Sequence, residues 1–182
     1  MLPAIIGPSA CVTSFFFQQV YFADIKGWTH LQLVALFPIY TIVAIVFNLI
    51  SGWALDKFSL DRILPFYQIP MVFAFILFYF VSTQIGLAVG LCFLAISAGA
   101  NSTLPTAFWA EYYGTQFLGT IKALGTAIMV LGSAIGPGMT GFLIDLGFGI
   151  EKQYFIFGLY FLFSTFLMYV GIKIYSPDKI VE

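Results

Sequence analysis

The stretch GSAIGPGMTG, residues 132–141, lies inside an apolar segment that runs from Ala123 to Leu146. In water this stretch would indicate a turn, because Gly costs about 1 kcal/mol and Pro about 3 kcal/mol within a helix. In lipid, a spanning segment must satisfy its own backbone hydrogen bonds. The apolar sequence on both sides therefore predicts a helix through the whole stretch.

Glycines form one face of this predicted helix. Gly125, Gly132 and Gly136 differ by seven and four positions, which places them within about 40° of one another around a helix. A face without side chains lets a second backbone come close, as in membrane helix pairs. We expect these glycines and Gly141 to pack against a neighbour, and Pro137 to bend the helix so that it helps gate a cavity.

The composition predicts an integral membrane protein. Charged residues make up 8% of the chain and hydrophobic residues 61%, whereas about 25% of an ordinary soluble domain is charged. The net charge of −1, without a basic run, gives no indication of nucleic-acid binding. Cys11 and Cys92 lie in apolar segments and are expected to be inert thiols. No cofactor or metal site is expected, because the only histidine, His30, is at the membrane interface.

Spans of about 20 residues with short loops are typical of helices and not of a barrel. Met1 is followed by no positively charged region and no obvious cleavage site, so the first segment is interpreted as a span and not a signal peptide. The chain is predicted to be all-α, with residues 1–182 as one domain. The predicted transmembrane helices cover residues 3–22, 31–55, 63–81, 85–109, 121–145 and 154–175.

These six predicted helices fall into two groups of three. The first, second, fourth and fifth carry small and polar faces, whereas the third and sixth are bulky, apolar and poor in glycine. This division predicts that the third and sixth face lipid. It is typical of transporters built from two inverted three-helix repeats.

A few neutral polar side chains fall within the predicted spans. Such groups cost free energy in hydrocarbon unless they face protein or a water-filled cavity. Either interhelical hydrogen bonding or cavity lining would explain them. The candidates are Gln18, Tyr21, Thr41, Asn48, Asn101 and Thr106.

Basic residues indicate the orientation in the membrane. Bases are enriched on the cytoplasmic side, and five of the seven fall on the side of both termini. We therefore expect both termini in the cytoplasm, with the chain in the cell inner or plasma membrane. The five are Lys57, Arg62, Lys122, Lys173 and Lys179, against Lys26 and Lys152 on the other side.

Taken together, these features resemble the C-terminal six-helix half of a major facilitator superfamily transporter. Gly52, Asp56, Lys57 and Arg62 resemble the cytoplasmic loop motif Gly-x-x-x-Asp-Arg-x-Gly-Arg-Arg of that family, and Asp61 stands where the motif commonly has a base. The spacing Gly132-x-x-x-Gly136-Pro137-x-x-x-Gly141 resembles the family's Gly-Pro helix motif. The stretch AEYYG, residues 110–114, followed by Gly136-Pro137 and by FLID, residues 142–145, is similar to the monocarboxylate and oxalate/formate branches.

The resemblance implies secondary active transport of a small solute by alternating access, with substrate near the bilayer midplane between two six-helix halves. No charged residue lies well inside a span of this chain, so any charge that pairs with substrate is expected from the partner. That partner would be a missing N-terminal half or a second copy. We also expect Asp56 or Arg62 to pair with Lys122 or Glu111 and hold one conformation shut.

Other classes of protein were weighed against a transporter. A membrane hydrolase would need a histidine at membrane depth, and His30 is interfacial, so an enzyme is not expected. The alternative is a truncated or half-length membrane protein with a structural or regulatory role and no independent transport. The abrupt apolar start of the chain favours a fragment of something longer. Substrate, coupling ion and direction of transport are not predicted.

Overall fold

The computed structural model describes residues 2–175, and the tail 176–182, including Lys179, lies outside the described residues. Residues 2–175 contain no strand, which confirms the all-α class. The helices are α1 (Leu2–Phe17), α2 (Gln19–Ile25), α3 (His30–Val34), α4 (Phe37–Lys57), α5 (Leu60–Ile63), a 3₁₀ turn (Leu64–Phe66), α6 (Ile69–Phe80), α7 (Gln84–Tyr113), α8 (Leu118–Asp145) and α9 (Ile150–Tyr175).

Five segments of the described chain are long and apolar enough to cross a membrane, and Leu2–Phe17 is a shorter apolar helix. The five are His30–Lys57, Leu60–Phe80, Gln84–Tyr113, Leu118–Asp145 and Ile150–Ile174.

The first predicted span, residues 3–22, is not one continuous helix, because it is divided at Gln18 into α1 and α2. Gln18 has φ −92° and ψ 9°, away from helical values. Its N–H still donates to the Ser14 carbonyl at 3.0 Å, and its carbonyl accepts from Phe22 at 2.9 Å. The chain therefore bends at Gln18 without losing its helical hydrogen bonds.

The helices pack in a small number of pairs. Helix α1 lies against α8, and α4 lies against α7. Helix α6 packs against both α7 and α9, and α1 also contacts α9. As a result, α6 has a largely buried face, whereas α4 is the least buried of the long helices and α8 the next.

An aromatic core fills one end of the bundle. The rings of Phe15 and Phe78 stack with their centroids 4.7 Å apart, and those of Phe75 and Phe161 with theirs 5.6 Å apart. All four are fully buried. The core at the other end is formed by Ala4, Leu60, Leu64, Tyr67, Ala100, Leu104, Phe108 and Met168.

The prediction that the third and sixth helices face lipid is therefore wrong for one face of each, since Phe161 of α9 is also buried in this core. Phe75 and Phe78 of α6 are buried in the aromatic core, whereas Phe73 and Phe80 are 55% and 67% exposed. Lipid tails are as apolar as a protein core, so bulky apolar residues fit either environment. Composition alone does not separate the two.

Glycines allow the closest approaches between helices. A Cβ atom on Gly136 would lie 2.5 Å from the Ala10 carbonyl oxygen of α1, and one on Gly132 would lie 3.2 Å from the Ile6 carbonyl oxygen. On α7, a Cβ on Gly99 would collide with the backbone of α4 at Ala44. The α1–α8 and α4–α7 pairs thus both depend on a missing side chain.

Alanine substitution should separate the packing role of Gly136 from its helix propensity. Gly136→Ala forces the backbones of α1 and α8 apart, so we expect a loss of about 1–3 kcal/mol of stability. Gly138→Ala is the matched control, because a Cβ there meets no atom within 4 Å. It should leave stability unchanged or raise it by up to about 1 kcal/mol. Thermal unfolding in detergent, followed by circular dichroism, measures both, and equal effects would refute the packing role.

Candidate substrate clefts beside α7

Helix α7 carries a row of polar side chains with a cleft on each flank. The first cleft, about 190 Å³, lies between α1, α7 and α8 and includes Asn101 and Thr106. The second cleft, about 330 Å³, lies between α4 and α7 and includes Thr41 and Asn48. Ser102 lines both clefts. The structure thus brings four of the six predicted cavity residues together around α7.

Asn48 both lines the second cleft and joins two helices. Its amide nitrogen donates to the Ser102 hydroxyl, and its Oδ1 lies 3.5 Å from the Thr103 hydroxyl. The Thr41 hydroxyl donates within its own helix, to the Phe37 carbonyl at 3.0 Å. Interhelical bonding and cavity lining are therefore not exclusive at Asn48.

Asn101 connects the first cleft to a buried polar network. The Tyr67 hydroxyl lies 3.3 Å from Asn101 Oδ1 and 3.1 Å from the Ala4 carbonyl oxygen. The Gln68 amide nitrogen also donates to the Ala4 carbonyl, at 2.8 Å, and the Ser164 hydroxyl donates to Gln68 Oε1 at 2.8 Å. This network joins α1, the start of α6, α7 and α9.

This network was not predicted from the sequence, although Pro8 indicates one of its acceptors. A helical Pro removes the hydrogen bond to the carbonyl four residues earlier, and for Pro8 that carbonyl belongs to Ala4. The freed carbonyl is the acceptor that Tyr67 and Gln68 reach. Gln68 is fully buried, so its amide needs partners inside the bundle.

Two predicted cavity residues lie away from both clefts. Gln18 is at the break between α1 and α2, where its Nε2 is 3.3 Å from the position of a Cβ on Gly141 of α8. Tyr21 is on α2, with 37% of its surface exposed. The predicted gating glycine Gly125 borders the first cleft, with Trp109 at 3.8 Å from a Cβ placed on it.

The charged loop after α4 contacts α7 by a bond that sequence analysis did not predict. Asp61, at the position where the loop motif commonly has a base, accepts a hydrogen bond from the Tyr112 hydroxyl at 2.5 Å. The Lys57 ammonium lies 4.7 Å above the ring of Trp53. Within residues 2–175 Lys122 forms no ion pair, so its predicted pairing with Asp56 stays a prediction for another conformation. The predicted pairing of Arg62 with Glu111 also stays a prediction. A Cβ on Gly52 would meet no atom within 4 Å.

Lys122 lies at the first cleft and not only in the loop region. It lines that cleft together with Thr106, Trp109 and Thr126. The expectation that any charge that pairs with substrate comes from the partner stays a prediction, although this chain does place one cation at the cleft. Lys122 is only in the second turn of α8, so a search for charges deep inside the spans passes over it.

Five long apolar helical segments, with open clefts that include polar side chains, indicate a multi-pass integral membrane protein. Within residues 2–175, no group of three His, Cys, Asp or Glu side chains is placed to hold a metal ion.

The family model of the Major Facilitator Superfamily matches residues 5–180. The chain belongs to this superfamily, whose members are transporters. Comparison with curated proteins and with solved structures gives no match.

A double-mutant cycle tests the buried network. Gln68→Leu removes both the donor to Ala4 and the acceptor for Ser164, so its effect should couple to that of Ser164→Ala. We expect a coupling free energy of about 0.6 kcal/mol and at most about 1.7 kcal/mol, the range of such bonds in membrane proteins.

The control cycle pairs Gln68→Leu with Ser133→Ala, whose hydroxyl bonds within α8 to the Val130 carbonyl. Reversible unfolding in mixed micelles measures each variant. A Gln68–Ser164 coupling no larger than that of the control pair would contradict the network.

Proposed function

We propose that this chain forms one six-helix unit of a secondary active transporter, which moves a small solute across the membrane by alternating access. The observation that carries this proposal is the polar row of α7 with an open cleft on each flank. In transporters of this kind, substrate binds near the midplane between two units that rock about it. Asn48, Asn101, Ser102 and Thr106 are the proposed hydrogen-bonding groups for the solute.

The helix pairs support an inverted-repeat arrangement. The proposed first repeat is α1/α2, α3/α4 and α5/α6, and the second is α7, α8 and α9. In these repeats α1 corresponds to α7, α4 to α8 and α6 to α9. The α1–α8 pair therefore corresponds to the α4–α7 pair, and the α6–α7 pair to the α1–α9 pair. The α6–α9 pair corresponds to itself. All of these pairs are in contact, as expected for two related three-helix units.

The exposed faces of α4 and α8 favour a partner unit. On α4, Ile42 and Leu49 are 62% and 69% exposed, and on α8, Leu131 and Phe142 are 61% and 63% exposed. Because these two helices also flank the clefts, a second six-helix unit placed there would enclose the solute. This unit would be an N-terminal half or a second copy of the chain.

The proposed orientation places the end of the bundle with Lys57, Arg62 and Lys122 in the cytoplasm. Lys26 and Glu151 form an ion pair at the opposite end. Gly136 and Pro137 would contribute to gating, because Gly136 packs against Ala10 of α1, a helix that also lines the first cleft. Placement in the monocarboxylate or oxalate/formate branch rests only on the similarity of residues 110–114, 136–137 and 142–145.

Cysteine accessibility tests whether the clefts hold water. In a Cys11→Ala, Cys92→Ala background, Asn48→Cys and Thr106→Cys should react with a small hydrophilic methanethiosulfonate in membranes. The matched control is Phe163→Cys on α9. The Phe163 side chain is 57% exposed, and it lies on the face of α9 that is proposed to contact lipid. We expect at least tenfold slower labelling there, because thiols in lipid ionise poorly.

If Asn48→Cys and Thr106→Cys react as slowly as Phe163→Cys, the side chains serve packing only. The alternative of a structural or regulatory protein would then be favoured over a transporter.

Photo-crosslinking tests the partner surface. A benzophenone amino acid at Leu49 or Leu131 should link the chain to a second membrane polypeptide in intact membranes, because these positions would be covered by the partner. The same amino acid at Phe163 should give mainly lipid adducts. Mass spectrometry of the products distinguishes a second copy from a different polypeptide, and protein adducts at Phe163 equal to those at Leu49 would contradict the proposed surface.

A further inference from the structure

We propose that the first cleft binds the anionic group of a small soluble solute, with Lys122 as the cation that selects it. This inference rests on the proposed transport function and adds the chemical class of the substrate. It is carried by the cleft that Lys122, Asn101, Ser102, Thr106 and Thr126 line together.

Lys122 is a cation without an acidic partner in the described part of the chain. Within residues 2–175, its ammonium forms no ion pair with an acidic side chain. It is in the second turn of α8, near the positive end of the helix dipole, where a cation is unfavourable. A positive charge held without a structural partner in this position is available to a bound anion.

The other polar residues of the lining complement an anion. Thr106 and Thr126 supply hydroxyl groups, whereas the Ser102 hydroxyl donates to the Gly99 carbonyl at 2.6 Å. The described residues that line the cleft include no Asp or Glu. The Tyr67 hydroxyl lies 3.3 Å from Asn101 Oδ1, which leaves the amide N–H groups of Asn101 for the cleft. The polar part of the lining thus consists mainly of hydrogen-bond donors and one cation, and this set complements an oxyanion.

The depth of the polar lining distinguishes a soluble anion from a lipid headgroup. Asn101 is eight residues before Trp109 on α7, so the polar lining extends about 12 Å along the helix from the level of Trp109. The cleft lies between α1, α7 and α8, with Ile5 and Gly125 buried in its lining and Ser102, Lys122 and Thr126 exposed. A small solute fits a lining of this depth, whereas the headgroup of a lipid stays at the membrane surface.

Fluorescence of Trp109 measures binding directly, without a transport assay. The full chain carries Trp28→Phe and Trp53→Phe, so that Trp109 is the only tryptophan, and it is placed in phosphatidylcholine nanodiscs. The anionic probes are acetate, succinate and inorganic phosphate, and the neutral and cationic probes are glycerol and ethanolamine. We expect at least one anion to change the fluorescence in a saturable manner, and neither glycerol nor ethanolamine to do so.

Variants of Lys122 assign the effect to this residue. Lys122→Gln should weaken anion binding at least tenfold, and Lys122→Arg should retain it within about threefold. Lys173→Gln is the matched control, because Lys173 is at the same end of the bundle but lies 5.1 Å above the ring of Tyr169 on α9. Its affinity should equal that of the parent.

Misfolding is excluded by the unfolding temperature. Removing a cation near the start of α8 relieves an unfavourable dipole interaction, so Lys122→Gln without ligand should unfold at the same temperature as the parent or above it. A lower unfolding temperature would show that Lys122 has a structural role and would overturn the proposal.

Three further results would overturn it: no response to any anion, equal binding of an anion by Lys122→Gln and the parent, or a response only when phosphatidylglycerol is added to the nanodiscs. The transport proposal fails separately. Rapid labelling of Thr106→Cys together with unchanged anion binding in Lys122→Gln would contradict the anionic substrate class but not the transport proposal. Slow labelling of Thr106→Cys would contradict both the transport proposal and the anionic substrate class.

Discussion

Close backbone contact between helices is the constraint on which the rest of this structure depends. In lipid, helices gain little from burying apolar side chains against one another, so van der Waals contact and hydrogen bonds must hold them together. Gly132 and Gly136 bring α8 onto α1, and Gly99 brings α7 onto α4. These two contacts set the spacing of the helices, and the clefts lie beside them.

The same polar groups hold the bundle together and line its clefts. Asn48 bonds across to Ser102 while it borders one cleft, and Asn101 meets Tyr67 while it borders the other. A polar group within a membrane needs a partner at all times. An exchange of protein partners for solute partners would therefore couple binding to the packing of the helices.

Much of the fold was predictable because long apolar runs mark membrane helices. Five of the six predicted segments coincide with apolar helical segments long enough to cross a membrane. The helical nature of residues 132–141 and the close packing face of Gly132 and Gly136 also follow from residue types and spacing. The division of the first segment at Gln18 and the buried face of α6 do not. Local backbone angles and the choice between core and lipid leave no mark on an apolar sequence, because both environments accept the same side chains.

The candidate site was predictable in part. Thr41, Asn48, Asn101 and Thr106 could be selected because polar residues in hydrocarbon need a reason, but Gln18 and Tyr21 satisfied the same rule and lie elsewhere. By itself, the sequence determined the membrane class, the helical segments and the polar residues within them, since these depend on composition and on the period of a helix. Only the tertiary structure decided that Pro8 frees a carbonyl for Tyr67 and Gln68, that Gly99 meets α4 and that Lys122 reaches the first cleft. Each of these contacts joins residues distant in the chain, and their meeting depends on how the helices pack.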